Sequence, residues 1–313
     1  MRIGGVVLAG GIGKRMHSCV PKVFHKVLGK PMVWYSIRAM YNVVSPLVVV
    51  LGPKGKPFAD ELSEVLIAIQ PEPLGTGDAV KWALPLVKEC DGVLVSPGDT
   101  PLIRDSSLKK LVELWKERKC AVVVATMVLD NPFGYGRILR DGDRMVGIVE
   151  ERDATEEQKN IKEVNTGVYL FHTEFLLRRV AELSTDNAQE EYYITDLVRF
   201  AVDAGLEVVP LVMKDVTEFL GVNTRKQLCD VERILASRIA DGWREKGVTV
   251  EEGALIGPVV EVGEDVYVGR GALVLGESKL GKGCKVGAGA FVDDFVVGNG
   301  VVIPPGVYLG GGS

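Results

Sequence analysis

The chain has 313 residues, of which 47% are hydrophobic and 25% charged, with a formal net charge of -5. That composition excludes a disordered chain, and the missing basic excess argues against nucleic acid as a partner. The length suits two domains.

The first eleven residues hold a short apolar run that stops at glycines, too short for a signal peptide or a membrane span. No later segment reaches about 18 uninterrupted apolar residues, so no membrane partner is expected. Cys19, Cys90, Cys120, Cys229 and Cys284 are far apart and form no CxxC pair, which reads as reduced thiols in a cytoplasmic protein.

Along the first 220 or so residues, β-rich runs alternate with helical stretches. Gly5-Val6-Val7-Leu8 reads as a buried strand ending in a glycine loop. Residues 31–44 read as a helix. Residues 47–51, 92–96 and 121–126 are apolar throughout, as strands covered on both faces should be. Between the last two, Leu108, Leu111, Val112 and Trp115 have helical spacing over residues 106–119. Such alternation predicts an α/β fold, a mostly parallel Rossmann-like sheet with helices on both faces.

From Val250 the period changes. An aliphatic residue recurs every six positions at Val250, Ile256, Val262, Val268, Val274, Leu280, Val286 and Val292; after a one-residue slip the series resumes at Val297, Ile303 and Leu309. Glycines or acidic residues follow most of them, and small or β-branched residues stand two places before the next. This hexad pattern predicts a short β-helix with the aliphatics stacked inward and Cys284 as a small buried residue. Between the halves, Leu228, Val231, Leu235 and Ile239 mark an amphipathic helix. The predicted organisation is 1–223, a linker helix over 224–249, and the β-helix over 250–313.

The glycine loop Leu8-Ala9-Gly10-Gly11-Ile12-Gly13-Lys14-Arg15-Met16 suits close approach of backbone N–H groups to phosphate. It fails the dinucleotide pattern, because Met16 stands where the third glycine belongs. It fails the P-loop pattern, because Arg15 stands where Ser or Thr must follow the lysine. A dehydrogenase and a P-loop ATPase are thereby disfavoured.

The loop followed by Pro21-Lys22 resembles the signature of sugar-nucleotide pyrophosphorylases. Further matches follow in order: Gln70-Pro71-Glu72-Pro73-Leu74-Gly75-Thr76-Gly77, Gly98-Asp99-Thr100-Pro101-Leu102, Gly134-Tyr135-Gly136-Arg137 and Ile148-Val149-Glu150. Glu163-Val164-Asn165-Thr166-Gly167, Glu191-Tyr192-Tyr193-Ile194-Thr195-Asp196 and Gly221-Val222-Asn223 complete the series. Together they resemble the uridylyltransferase half of the bifunctional N-acetylglucosamine-1-phosphate uridyltransferase/acetyltransferase family, over about the first 245 residues. The hexads resemble the start of that family's left-handed β-helix.

The resemblance implies a cytoplasmic transferase of cell-envelope precursor biosynthesis that joins UTP to a sugar-1-phosphate, with Mg²⁺ as cofactor. It implies Arg15, Lys22 and Asp99 as catalytic residues and Asp99 with Asn223 as metal ligands. Nucleotide contacts would come from Leu8, Ala9, Gly10, Gly11, Lys22, Gln70, Gly75, Thr76, Gly98 and Asp99. Sugar contacts would come from Gly136, Glu150, Asn165 and Thr166. A homotrimer through the β-helix is expected. Read by themselves, several of these residues admit plainer roles: Asp99 as a turn cap, Asn223 as a helix N-cap, Gly75-Thr76-Gly77 as a helix start near Asp78, and residues 150–153 as an exposed charged turn.

Two departures stand out. The family's catalytic acetyltransferase histidine has no counterpart, since His17, His25 and His172 all fall in the first domain, so no acetyltransferase activity is expected. Pro97 occupies a place where the family commonly has an aromatic residue, while Gly10 and Ile12 replace a small and a basic residue. N-acetylglucosamine-1-phosphate is the expected sugar, with glucose- and N-acetylgalactosamine-1-phosphate open; UTP over dTTP rests on the resemblance alone. The competing reading is a catalytically inactive protein that binds a sugar nucleotide on the same fold.

Overall fold

The computed structural model describes residues 1–311. The chain divides into two compact units: Met1–Phe24 with Met32–Asn223, and His25–Pro31 with the chain from Thr224 onward.

The first unit is built on strands β1 (Ile3–Ala9), β2 (Leu47–Leu51), β3 (Leu66–Ile69), β4 (Gly92–Pro97), β5 (Val122–Val128), β6 (Arg137–Asp141), β7 (Arg144–Val149), β8 (Glu163–His172) and β9 (Val208–Val212). They form one sheet in the order β9-β5-β8-β4-β1-β2-β3. Neighbours are parallel except around β8, which runs antiparallel to both β4 and β5. The β6–β7 hairpin joins the sheet through a single pairing, Arg137 with Val164 of β8.

Helices α1 (Met32–Tyr41), α2 (Thr76–Val87), α3 (Asp105–Arg118), α4 (Thr173–Arg179) and α5 (Asp196–Asp203) cover the two faces. Leu47, Val49 and Leu51 of β2 pack with Val33, Ile37 and Met40 of α1 and with Leu108, Leu111 and Trp115 of α3. Val48 and Val50 face the other way, into a layer with Val80 and Ala83 of α2 and Leu197 and Val198 of α5. Burial on both faces is why β2 reads as an unbroken apolar run.

The topology fixes where a ligand fits. From β1 the chain moves outward through β2 and β3, then returns to lay β4 on the opposite side of β1. The crevice where strand order reverses lies outside the carboxyl ends of those two strands. Leu8 pairs with Pro97, so the loops after β1 and β4 leave the sheet side by side.

In the second unit, α6 (Arg225–Arg244) opens with a capping box. Thr224 Oγ1 accepts from Gln227 N at 3.2 Å, and Gln227 Oε1 accepts from Thr224 N at 3.1 Å. The short hairpin of Lys26–Val27 and Lys30–Pro31 sits on this helix, with Leu28 N donating to Glu232 Oε1 at 3.0 Å.

The hexads then form three parallel ladders, a short left-handed β-helix. One ladder stacks Thr249–Val250, Tyr267–Val268, Lys285–Val286 and Val302–Ile303. The second stacks Leu255–Ile256, Leu273–Leu275, Phe291–Asp293 and Tyr308–Gly310; the third stacks Glu261–Val262, Lys279–Leu280 and Val296–Val297. The aliphatics from Val250 to Ile303 fill the interior together with Cys284, whose thiol donates to Gly298 O at 2.7 Å.

The one-residue slip has a structural seam. Asp294 takes a left-handed backbone (φ 49°) and its Oδ1 accepts from Glu277 N at 2.7 Å. Ser278 Oγ accepts from Phe295 N at 3.1 Å and donates to Leu275 O at 2.6 Å. A hydroxyl thus supplies the acceptor that the shortened coil withdraws from Phe295. Ser278→Ala is expected to lower stability by about 1–3 kcal/mol, the cost of leaving such a donor unmet. A denaturant midpoint unchanged from wild type would contradict that role.

Candidate active site

The glycine loop turns over at Gly13, which has a left-handed backbone (φ 65°). A Cβ there would stand 2.6 Å from Cβ of Lys22, so glycine is required on two counts. The close approach seats the Lys22 stem against the loop. The Lys22 side chain is only 11% exposed, and its ammonium is directed at the end of β4.

That ammonium donates to Asp99 Oδ2 and, at 2.9 Å, to Asn223 Oδ1. Asp99 follows β4 directly; its own carbonyl accepts from Val222 N at 2.9 Å, which brings the 221–223 segment alongside. Thr224, not Asn223, caps α6, so the Asn223 side chain is not the helix cap. Two oxygen ligands from distant segments therefore converge on one cation.

This is the local chemistry of a hard divalent ion. Mg²⁺ takes oxygen ligands and keeps waters or substrate oxygens in its remaining positions, so two protein oxygens suffice. Among the described residues no three His, Cys, Asp or Glu side chains gather as a self-contained metal site. Asp99 and Asn223 fit a cation shared with a phosphate, and the ammonium of Lys22 marks where it would sit.

A cleft of about 650 Å³ opens from this point. Leu8, Gly10, Gly11, Lys22, Gln70, Gly75, Thr76, Asp99, Glu150 and Asn165 all line it. Ala9 is buried at the end of β1, and Gly98 acts through its N–H, which donates to Leu8 O at 2.9 Å. Gly136 stands behind Glu150, its carbonyl accepting from Asn165 N at 2.9 Å.

Two expected residues are placed elsewhere. Arg15 is exposed on the short Lys14–Met16 turn outside the cleft lining, and Lys14 faces the cleft in its place. Thr166 is buried, its hydroxyl donating to Ala125 O at 2.8 Å and accepting from Val168 N at 3.2 Å. That hydroxyl holds the bulge where β8 slips against β5 between Asn165 and Tyr169, so it is not available to a ligand.

At the base-reading end, Gln70 Nε2 donates to Gly75 O at 3.1 Å and to Asp78 Oδ2 at 2.8 Å. Both its N–H groups are thus used, which orients Oε1 as the acceptor that remains for a ligand. Helix α2 begins at Thr76, two residues before the sequence places it, and Thr76 Oγ1 accepts from Ile194 N at 3.1 Å. Tyr192 clamps the same loop, accepting from Gly77 N and donating its N–H to Leu74 O, both at 2.8 Å.

The other end of the cleft is acidic. Glu150 is partly buried, not an exposed turn, and its Oε1 accepts from Thr195 Oγ1 at 3.0 Å. Burial pushes its carboxyl above the ordinary range; the Thr195 bond opposes this, and Asp153, Asp196 and Glu191 add to it. Asn165 Nδ2 donates to the buried Tyr169 hydroxyl at 2.6 Å, and its Oδ1 accepts from Gly167 N at 3.0 Å.

Lys14, Arg152, Tyr169, Gln189 and Glu191 also line the cleft. The quoted motifs contain Lys14 and Glu191, but the reading of the loop's charge rested on Arg15, the neighbour of Lys14, and that of the acidic contact on Glu150. Nothing in the spacing singles out Tyr169 or Gln189.

The MobA-like NTP transferase domain matches residues 5–190. The chain is 39% identical to the bifunctional protein GlmU of Syntrophotalea carbinolica, covering 99% of this chain and 68% of that protein. It is 40% identical to the bifunctional protein GlmU of Carboxydothermus hydrogenoformans, covering 97% and 69%. With that of Fervidobacterium nodosum it is 40% identical, covering 95% and 65%. The chain thus spans about two thirds of the length of these relatives. Among the described residues, no helix is long and apolar enough to cross a membrane.

One consequence of the geometry is open to direct measurement. If the Lys22 ammonium occupies the cation position, removing it exposes an uncompensated pair of oxygens. Lys22→Ala is expected to bind Mn²⁺ about tenfold more tightly than wild type in the absence of nucleotide. Electron paramagnetic resonance titration reads this directly, and weaker binding in the variant would contradict the assignment.

Proposed function

The chain belongs to the family of the bifunctional protein GlmU, and on that footing we propose that its first unit makes UDP-N-acetylglucosamine and pyrophosphate from UTP and N-acetylglucosamine-1-phosphate. The observation that carries this reading is the meeting of Lys22, Asp99 and Asn223 at the mouth of the glycine loop. A triphosphate lying along that loop would bring its α-phosphorus within reach of the Lys22 ammonium and of the oxygens of Asp99 and Asn223 that would hold a cation.

In the reaction an anionic phosphate oxygen of the sugar phosphate attacks the α-phosphorus. The new P–O bond forms as the bond to the β-phosphate bridging oxygen breaks, and the electron pair leaves with pyrophosphate. The nucleophile is already ionised at neutral pH, so no general base is required. Positioning and charge neutralisation carry the catalysis.

Asp99 and Asn223 would hold Mg²⁺, which supplies charge neutralisation at the phosphate oxygens. Lys22, released from those oxygens, turns its ammonium to the α-phosphate, where charge accumulates. Lys14 lines the cleft beside the glycine loop and balances the departing pyrophosphate. The exposed Arg15 supports it from outside the lining.

The Gln70 carbonyl selects the base. An acceptor in that position meets the N3–H of uracil or thymine, whereas cytosine presents a lone pair there. Glu150 and Asn165 receive the sugar. A carboxylate without a cationic partner, deep in a cleft, is stabilised by donation from sugar hydroxyls or an acetamido N–H. We assign the expected homotrimer to the outer faces of the β-helix, where Val296, Val302 and Tyr308 are exposed.

The direct test is a matrix of sugar-1-phosphates and nucleoside triphosphates with Mg²⁺, scored by pyrophosphate release. Turnover is expected with UTP and N-acetylglucosamine-1-phosphate and far less with CTP; no release from any pair would sink the reading. Lys22→Ala is expected to lower kcat about 10²-fold. The pH dependence follows from Glu150. Burial raises its pKa, so the carboxyl takes up a proton at a higher pH than an ordinary glutamate does, while a donating sugar needs the carboxylate. KM for the sugar phosphate therefore rises as pH falls through that raised value, over a range where an ordinary glutamate is still ionised. Glu150→Gln cannot titrate and removes this component; equal pH profiles in the two proteins would contradict the role of Glu150.

A further inference from the structure

Arg137 is the largest charged side chain the structure buries, at 2% side-chain exposure. Its guanidinium pairs with Glu151 Oε2 at 2.7 Å. It also donates to Tyr135 O and, at 3.4 Å, to Lys159 O. Glu151 Oε2 accepts in turn from Gly134 N at 2.9 Å. One ion pair therefore ties together the turn before β6, the turn after β7 and the short helical turn at Gln158–Asn160.

A guanidinium so far from water is stabilised only when its partner and carbonyls are well placed, and removing one partner strands the other. The significance lies in what stands one residue away on each side. Gly136 precedes Arg137, and Glu150 precedes Glu151. A Cβ at Gly136 would lie 3.4 Å from Glu150 Oε2 and 3.0 Å from Ile148 Cγ2, so the two chain segments are as close as they can be without a side chain there. The Gly136 carbonyl also accepts from Asn165 N. The hairpin that carries these residues pairs with the sheet ladder at Arg137 alone. Its other end is tied to β8 by Arg140, which donates to both carboxylate oxygens of Glu163 at 2.7 and 2.8 Å, so at the end that carries Gly136 and Glu150 the Arg137–Glu151 pair sets the angle.

We infer that Arg137 and Glu151 are positioning residues that set the sugar end of the cleft, holding Glu150 and Asn165 at the spacing that selects the sugar phosphate. The inference rests on the reaction proposed above. The pair touches no residue at the nucleotide end. Gln70, Gly75 and Lys22 are held instead by Asp78, Tyr192, Asp99 and Asn223. A loosened pair therefore shifts one substrate's site and leaves the other's in place.

The experiment compares Arg137→Lys, Glu151→Gln and Glu151→Ala in the full chain. KM is measured separately for N-acetylglucosamine-1-phosphate and for UTP, with UTP binding by calorimetry as the check on folding. Each variant is expected to raise the sugar-phosphate KM, by about tenfold for Glu151→Ala, and to keep the UTP KM within about twofold. Glu151→Gln retains an acceptor for Gly134 N and for the guanidinium, so its effect is expected to be smaller than that of alanine. An unchanged sugar-phosphate KM overturns the inference, as does a parallel rise in both KM values with weakened UTP binding, the mark of a merely structural pair. Wild-type protein inactive with this substrate pair overturns the proposed reaction as well, whereas an active wild type with indifferent variants overturns only the positioning role.

Discussion

The contact on which the site depends is the ammonium of Lys22 held between Asp99 and Asn223. Its partners are distant in sequence and meet because two parallel strands end together. The register of β1 against β4 brings the glycine loop beside Asp99, and Val222 N binds the Asp99 carbonyl to draw in Asn223. Two oxygens aimed at one point make a locally negative hollow in a fold that must receive a triphosphate. Such a hollow is tolerable only with positive charge in it. In the empty protein Lys22 supplies that charge. On the proposed reading a divalent ion would take its place and free Lys22 for phosphate, so that one arrangement would serve both the folded site and its reactivity.

Polarity along the cleft follows from this contact. Lys14 and Lys22 lie by the glycine loop, whereas Glu150, Glu191 and Arg152 line other parts of the cleft, Glu191 against Gly75. Positive charge by the loop favours an anion there, and on the proposed reading the sugar ring lies at Glu150. None of the histidines lines the cleft. His17 is exposed, His172 lies at the end of β8 with its ring 5.9 Å from that of Trp115, and His25 belongs to the second unit, not to the first domain where the sequence reading puts it, because its hairpin bonds α6. An already anionic nucleophile makes their absence from the cleft chemically sensible.

Much of this was legible in the residue pattern because strong periodicities leave few alternatives. The run at 47–51 coincides with β2, since a strand buried on both faces has no polar position to blur its ends. The six-residue period placed every interior position of the β-helix through Ile303, including Cys284. Local chemistry was harder. Arg15 and Lys14 are adjacent, and only the fold of the short turn decides which faces the cleft. Thr166 looks like a ligand in its motif, but the irregularity between Asn165 and Tyr169 turns its hydroxyl into the sheet. Ser278 falls on the small-residue register, and its work at the slip appears only when Phe295 is seen without a regular partner. The assignment of His25–Pro31 to the second unit depends on contacts such as that of Leu28 with Glu232, which no local pattern announces.

The two ends of the cleft are built by different means, and this bears on how specificity can change. The nucleotide end uses strands from the middle of the sheet, backbone groups and a Gln70 whose N–H groups are both committed. Altering it disturbs the core. The sugar end is carried largely by a hairpin that pairs with the sheet at Arg137 and is braced from behind by Glu151. It can be re-angled without moving β1 or β4. Pro97 stands at the boundary, the last residue of β4, in contact with Gly167 at the β8 bulge. A ring without hydroxyl or N–H contributes shape but no hydrogen bond there. On the proposed reading, discrimination among sugars falls to Glu150, Asn165 and the residues that hold them, so a change of sugar preference in this chain should arise in the hairpin and its brace while the nucleotide site stays as it is.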